Sequence, residues 1–276
     1  MGCQPNKGLD IQGHRGFRGL YPENSLIGFE KAIDLGVTTL ELDIAITKDN
    51  EVIVTHEPFI SRKICLNPKG EIIDEKFDMQ YNLYKMTHNE IKLFDCGSKV
   101  HPDFSEQEKI KVYKPLLSEV FDLIKQKESD VRLNIELKSD PSYYGYFTPK
   151  PKDYVTIVLN TIEENGFLDK VNLQSFDINI LEEIHSQHPS MKIALLIDGN
   201  ESIEEKRDQL SFKPEIISPY FLLLHKELVV SLQEEGYKVI PWTVNTESEL
   251  KGMLNFRVDG IITDYPNRLF TILNED

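Results

Sequence analysis

The stretch Thr39-Leu40-Glu41-Leu42-Asp43 decides how this chain folds. Successive side chains of a β-strand point to opposite faces, so Glu41 and Asp43 project to the same side. Upstream, the run Asp10-Ile11-Gln12 leads into His14-Arg15-Gly16, and ionisable groups again gather where a strand stops. Two carboxylates about 5 Å apart at an effective dielectric of ~20 repel by roughly 3 kcal/mol. A cation or a captured proton must relieve that repulsion, so the pair reads as half of a metal site.

Working outward, strand-like runs recur at Asp10–His14, Thr39–Asp43, Arg132–Lys138, Val171–Phe176, Lys192–Ile197, Glu215–Ser218, Lys238–Thr243 and Gly260–Thr263. Amphipathic helical stretches lie between them at Ser25–Leu35, Leu116–Lys127, Asp153–Asn165, Asn179–His188, Ser202–Leu210, His225–Glu235 and Glu247–Asn255. Strands alternating with helices imply a parallel sheet. Eight such units favour a closed (β/α)8 TIM barrel over a doubly wound sheet, and no G-x-G-x-x-G follows the first strand. One stretch breaks the rhythm. After Asp43 the chain turns at Lys48-Asp49-Asn50 and returns as Glu51–His56, a hairpin that brings His56 back toward the strand ends. The turn-rich segment from Glu57 to Lys114 reads as a small inserted cap, so residues 1–276 form a single barrel with 57–114 inserted after its second strand.

The chain has 276 residues, 40% of them hydrophobic, enough for a sizeable core. A net charge of −15 disfavours nucleic acid as a partner and still permits a small anionic substrate. Apolar runs stop short of the ~20 residues a membrane span needs, so a soluble protein is expected. Cys3, Cys65 and Cys96 lie far apart, and their spacing indicates neither a zinc site nor a disulfide framework. An ordinary cytoplasmic terminus is the expectation. Cys3, opening a polar stretch, supplies the alternative of a trimmed lipoprotein start, with a lipid anchor and a location in the bacterial periplasm or at a membrane.

The carboxyl ends of parallel barrel strands form one mouth. There the sequence places His14, Arg15, Glu41, Asp43, Glu136, Lys138, Gln174 and Trp242. Glu41, Asp43 and Glu136 make an all-oxygen nest suited to a hard cation, Mg²⁺ or Ca²⁺. Arg15 and Lys138 offer charge-assisted bonds to a phosphodiester. His14 and His56 are the groups that titrate near neutrality, as an acid and a base require. Gln174 either bonds substrate or completes the polar rim. The face of Trp242, the single tryptophan, suits the carbon skeleton of a bound substrate, with core packing as its rival. An ion network accounts for any one of these residues alone, but it has no need of two histidines at one mouth. Asn24 or Ser25 reads as a helix cap, Asp264 as the cap of a last helix starting at Pro266, and His88, His101, His185, His188 and His225 as surface residues.

Taken in order, His14-Arg15-Gly16, Pro22-Glu23-Asn24-Ser25, Glu41-Leu42-Asp43, His56, Glu136-Leu137-Lys138, Gln174-Ser175-Phe176, Trp242-Thr243-Val244-Asn245 and Asp259 through Pro266 resemble the glycerophosphodiester phosphodiesterase family. The resemblance spans nearly the whole chain. It implies a barrel with an oxygen-ligated divalent metal held by Glu41, Asp43 and Glu136, His14 and His56 as acid and base, and Arg15 and Lys138 on phosphate. Glu57 departs from the pattern, since aspartate commonly follows the second histidine. The implied reaction is hydrolysis of a glycerophosphodiester to glycerol 3-phosphate and an alcohol, by water or by a neighbouring substrate hydroxyl. The alternative is a phospholipase D-like attack on lysophospholipids, which needs an apolar cleft. Phe59, Ile60, Phe77 and Met79 of the cap either line such a cleft or form the cap's own core. A non-catalytic phosphodiester-binding barrel is disfavoured by the intact acid–base and metal residues.

Overall fold

A computed structural model describes residues 8–77 and 79–275. Eight parallel strands form the barrel: β1 (Asp10–Gly13), β2 (Thr39–Ile46), β4 (Arg132–Leu137), β5 (Val171–Ser175), β6 (Lys192–Ile197), β7 (Ile216–Pro219), β8 (Lys238–Val239) and β9 (Gly260–Thr263). They pair in the order β8-β7-β6-β5-β4-β2-β1-β9, and β3 (Val52–Val54) pairs antiparallel with β2. Backbone bonds from Asp259 N to Val239 O (2.9 Å) and Ile262 N to Pro241 O (3.0 Å) close the seam between β8 and β9. The strands expected from sequence are all present, with two instructive changes of length. β2 runs on to Ile46 because the hairpin partner continues its ladder through Ile46↔Val52. β8 is shorter than Lys238–Thr243 because Pro241 has no N–H to donate.

Helices α1 (Leu26–Leu35), α3 (Leu117–Gln126), α4 (Pro151–Glu164), α5 (Ile178–Gln187), α6 (Ile203–Arg207), α7 (Lys226–Glu234), α8 (Glu247–Phe256) and α9 (Pro266–Glu275) wrap the strands, and α2 (His88–Ile91) lies in the cap. Their buried faces follow helical spacing, as with Leu117, Val120, Phe121 and Ile124 of α3. Ser25 caps α1 by accepting from Gly28 N at 3.1 Å, and Thr246 opens α8 in a capping box with Glu249. No described helix is long and apolar enough to cross a membrane. Inside the barrel, Ala194, Ile216, Ile240 and Ile262 form an apolar half, while Gln12, Asn134 and Gln174 fill the other half with amides.

The segment between β3 and α3 has its own core of Ile60, Ile64, Cys65, Ile73, Leu83, Ile91, Phe94 and Cys96. At its centre Cys65 and Cys96 form a disulfide, contrary to the reading of the cysteine spacing. A pairing across 31 residues depends on how the cap folds back on itself, which spacing does not encode. Cys3 lies outside the described residues. Two histidines expected at the surface are also buried: His88 donates from Nε2 to the Lys114 carbonyl at 3.3 Å, and His101 lies 3.6 Å from Glu23. Of the four cap residues considered for an acyl cleft, Ile60 sits in the cap core and Phe59 packs on Phe147, while Phe77 and Met79 are exposed.

Under denaturing, non-reducing conditions Cys65 and Cys96 should resist alkylation and react only after reductant is added. Replacing both by serine should cost about 3–4 kcal/mol, the loop-closure value for a cross-link of this span. Free thiols at both positions in unreduced protein would contradict the pairing.

Candidate active site

The turn after β1 positions the first histidine and arginine. Gly13 and Gly16 are packed so closely that a Cβ on Gly13 would lie 2.2 Å from the Gly16 carbonyl oxygen. Arg15 between them adopts a left-handed φ of 51°, a cost that only a tightly determined turn sustains. The geometry aims the Arg15 backbone N–H at Glu41 Oε2 (2.9 Å) and its guanidinium at Glu23 (3.1 Å) and Asp43 (3.2 Å). β2 carries Glu41 and Asp43 inward, and β4 sets Glu136 in register beside Asp43. The three carboxylates offer oxygens within 4.8 Å of one another, and all three residues are buried.

Such crowding forces the charges apart in energy. Burial, with Asp43 and Glu136 nearby, pushes the Glu41 carboxyl well above its usual range. Burial also raises Glu136 to about 7, with Asp43 adding to the rise and Lys138 opposing it. Asp43 goes the other way: burial opposes its ionisation, but Arg15, His56 and Lys138 together hold it below the usual carboxylate range. Arg15 and Lys138 cover the cluster only in part. Lys138 Nζ lies 2.6 Å from Glu136 and 3.8 Å from Asp43 Oδ1, and that Asp43 oxygen is buried without a hydrogen bond. An orphaned carboxylate oxygen among crowded acids fits a hard divalent cation held by Glu41, Asp43 and Glu136.

Both histidines are oriented by carboxylates. His14 Nδ1 lies 2.8 Å from Asp264 Oδ1, which leaves Nε2 facing Glu41 at 3.8 Å. His56 Nδ1 lies 2.9 Å from Glu57, and its Nε2 accepts from Lys138 Nζ at 3.2 Å. Burial, helped by Arg18, lowers His14 to about 4, and burial with Arg15 lowers His56, so both imidazoles are neutral at pH 7. Gln174 donates to Glu41 at 3.0 Å and accepts from Asn134 at 3.0 Å, so its amide is committed to holding the carboxylate. Trp242 donates its indole N–H to Ser218 O (2.9 Å) and meets Phe176 edge-on at 5.5 Å. With Leu196 and Ile262 these rings form the apolar wall of a cavity of about 230 Å³ opening onto both histidines.

Several residues at the mouth escaped the sequence reading. Asp264 does not cap α9; its oxygens are taken by His14, by Arg18 (2.6 Å) and by Asn245 (2.8 Å). Asn24 is not a helix cap either, since Ser25 performs that role and Asn24 instead clasps Asp43, donating to Oδ2 at 2.8 Å. Asp264 directly follows β9, so the rule that found Glu41 and Glu136 at strand ends applied to it as well.

The family model for the glycerophosphoryl diester phosphodiesterase family matches residues 14–268. The chain belongs to this family. It is 31% identical to the glycerophosphodiester phosphodiesterase of Caldanaerobacter subterraneus subsp. tengcongensis, covering 95% of this chain and 96% of that protein. The corresponding enzyme of Bacillus altitudinis is 32% identical over 96% of this chain and 98% of its own length. The crystal structure of a Silicibacter pomeroyi protein assigned to the same activity superposes with a TM-score of 0.89 at 28% identity, covering 98% of this chain and 95% of that one. An Oleispira antarctica phosphodiesterase shares the fold at a TM-score of 0.77 and 21% identity, covering 97% of each chain; its crystals hold the product sn-glycerol-3-phosphate. The chain is thus a phosphodiesterase of the glycerophosphodiester class.

The charge balance of the cluster is measurable in metal-free protein. Because Glu136 binds its proton more tightly folded than unfolded, its ionisation costs stability as pH rises from 4.5 to about 7. In the presence of a chelator, Glu136→Gln should therefore gain on the wild type by a few kcal/mol across that window and then level off. A stability difference that does not change between pH 4.5 and 7 would show that Glu136 is not strained.

Proposed function

We propose that the barrel mouth hydrolyses glycerophosphodiesters to glycerol 3-phosphate and an alcohol with the help of Mg²⁺ or Ca²⁺. The observation that carries this reading is the cluster of Glu41, Asp43 and Glu136, flanked by two cations and set between two carboxylate-oriented histidines. A cation bound there supplies Lewis-acid polarisation of the phosphoryl oxygens. Arg15 and Lys138 donate to the remaining phosphoryl oxygens, and the Trp242 and Phe176 rings receive the glycerol carbons. Neutral His14 and His56 turn Nε2 toward the mouth: one takes a proton from the attacking oxygen and the other, once protonated, gives one to the leaving oxygen. Glu57 orients His56 as Asp264 orients His14, so a glutamate after the second histidine serves where aspartate is common.

A relative named lysophospholipase D GDPD1, from Rattus norvegicus, is 26% identical over 95% of this chain and 85% of that protein. The cleft an acyl chain needs has no support in the cap, whose Phe59, Ile60, Phe77 and Met79 line neither cavity beside the histidines. Water-soluble diesters are the better-supported substrates. We also propose that the protein works in an oxidising compartment, where the Cys65–Cys96 disulfide persists. A lipid anchor on Cys3 is compatible with that placement.

Removal of divalent metal should abolish turnover, and Mg²⁺ or Ca²⁺ should restore it; full activity in protein shown by metal analysis to be empty would overturn the role of the cation. His14→Ala and His56→Ala should each lower kcat by roughly 10²–10⁴-fold with metal binding retained. The variant lacking the acid should recover most of its rate on a p-nitrophenyl diester, whose leaving group needs no proton, while the other should not. Near-normal rates in either variant would remove that histidine from proton transfer.

A further inference from the structure

Beneath the cap lies a second cavity of about 200 Å³, lined by Thr55, Ser61, Lys63, His101, Asp103 and Lys114 and sharing Arg15, Arg18 and His56 with the first. Lys114 is 3% exposed and reaches this space from the end of the cap. Among the described residues its ammonium forms no hydrogen bond and no ion pair. The nearby carboxylates are already engaged. Glu23 is held by Arg15 (3.1 Å), Arg18 (3.8 Å) and His101 (3.6 Å), and Glu57 by His56 (2.9 Å). Asp103 and the exposed Lys63 also line the cavity. The Lys114 stem is buried while its ammonium faces the cavity, with carboxylates such as Glu23 acting on it only from beyond ion-pair distance, so an anion entering the cavity gains a close cation. Burial already draws the Lys114 amine below its ordinary range, against the pull of Glu23.

We propose that this cavity binds a second phosphate, carried by the leaving alcohol of the substrate, with Lys114 as its cation. The inference rests on the glycerophosphodiester reading of the mouth. A phosphodiester at Arg15 and His56 lies at the junction of the two cavities. Its glycerol side then rests against Trp242, and its leaving alcohol extends under the cap toward Lys114. The preferred substrate class is therefore a glycerophosphodiester whose alcohol bears its own phosphate, rather than one ending in a neutral or cationic group. Lys serves such a group as a compact point charge, and Ser61 lines the same cavity with a hydroxyl.

The decisive comparison uses glycerophosphoglycerol and the same diester phosphorylated on its distal hydroxyl, assayed with saturating Mg²⁺ or Ca²⁺. Wild-type protein should favour the phosphorylated diester in kcat/KM by at least tenfold. Lys114→Met should reduce that preference by roughly 10–100-fold, chiefly through KM, and Lys114→Arg should keep part of it. No preference in the wild type, which needs no variant to fold, would overturn the proposal. So would an equal loss on both substrates in Lys114→Met, since that marks a structural role beside Glu23. Failure of the wild type to cleave either diester would instead overturn the reading of the mouth itself, and with it this inference.

Discussion

Mutual repulsion among Glu41, Asp43 and Glu136, buried with oxygens within 4.8 Å of one another, is the constraint to which the rest of the mouth responds. Folding brings these three groups together without neutralising them, and the surroundings answer residue by residue. Arg15 is bent into a left-handed turn so that its backbone N–H meets Glu41 and its guanidinium meets Asp43. Lys138 closes on Glu136, and Asn24 clasps Asp43 from the turn before α1. Even so, Glu41 and Glu136 remain shifted toward their neutral forms, which is the signature of a site short of positive charge.

The barrel interior supports this arrangement from below. Asn172 donates to Asn134 (2.6 Å), Asn134 to Gln12 (2.8 Å) and to Gln174 (3.0 Å), and Gln174 to Glu41 (3.0 Å). Each amide has its direction set by the one beneath it, so the donor that reaches Glu41 is fixed by residues that never touch the mouth. The opposite half of the barrel is apolar and ends at Trp242. One side of the mouth therefore suits charge and metal while the other suits carbon, a division that matches a substrate with a phosphate at its centre and glycerol at one end.

The barrel was legible because its signals are local. Alternation within Thr39–Asp43 and Arg132–Lys138 gives both the strand and the face, and a strand end gives the mouth. The metal-ligand candidates and both histidines could be named on that basis. What stayed hidden are pairings between distant segments. The Cys65–Cys96 bond and the contact of His101 with Glu23 depend on the path of the cap. Asp264 was masked by a competing local role, since an aspartate two residues before a helix-starting proline also reads as a cap. Lys114 gave no sequence signal at all, because its distinction is a buried stem that carries its ammonium into a cavity, and only packing reveals that.

The central claim is that the three carboxylates are completed by a divalent cation. Anomalous diffraction from crystals soaked in Mn²⁺ tests it most directly, because manganese reports its own position. The account predicts a peak about 2.0–2.3 Å from oxygens of Glu41, Asp43 and Glu136 together, with Lys138 Nζ displaced from its contact with Glu136 or shared with the ion's ligands. Manganese bound elsewhere, with the cluster still bridged by Lys138 alone, would contradict it.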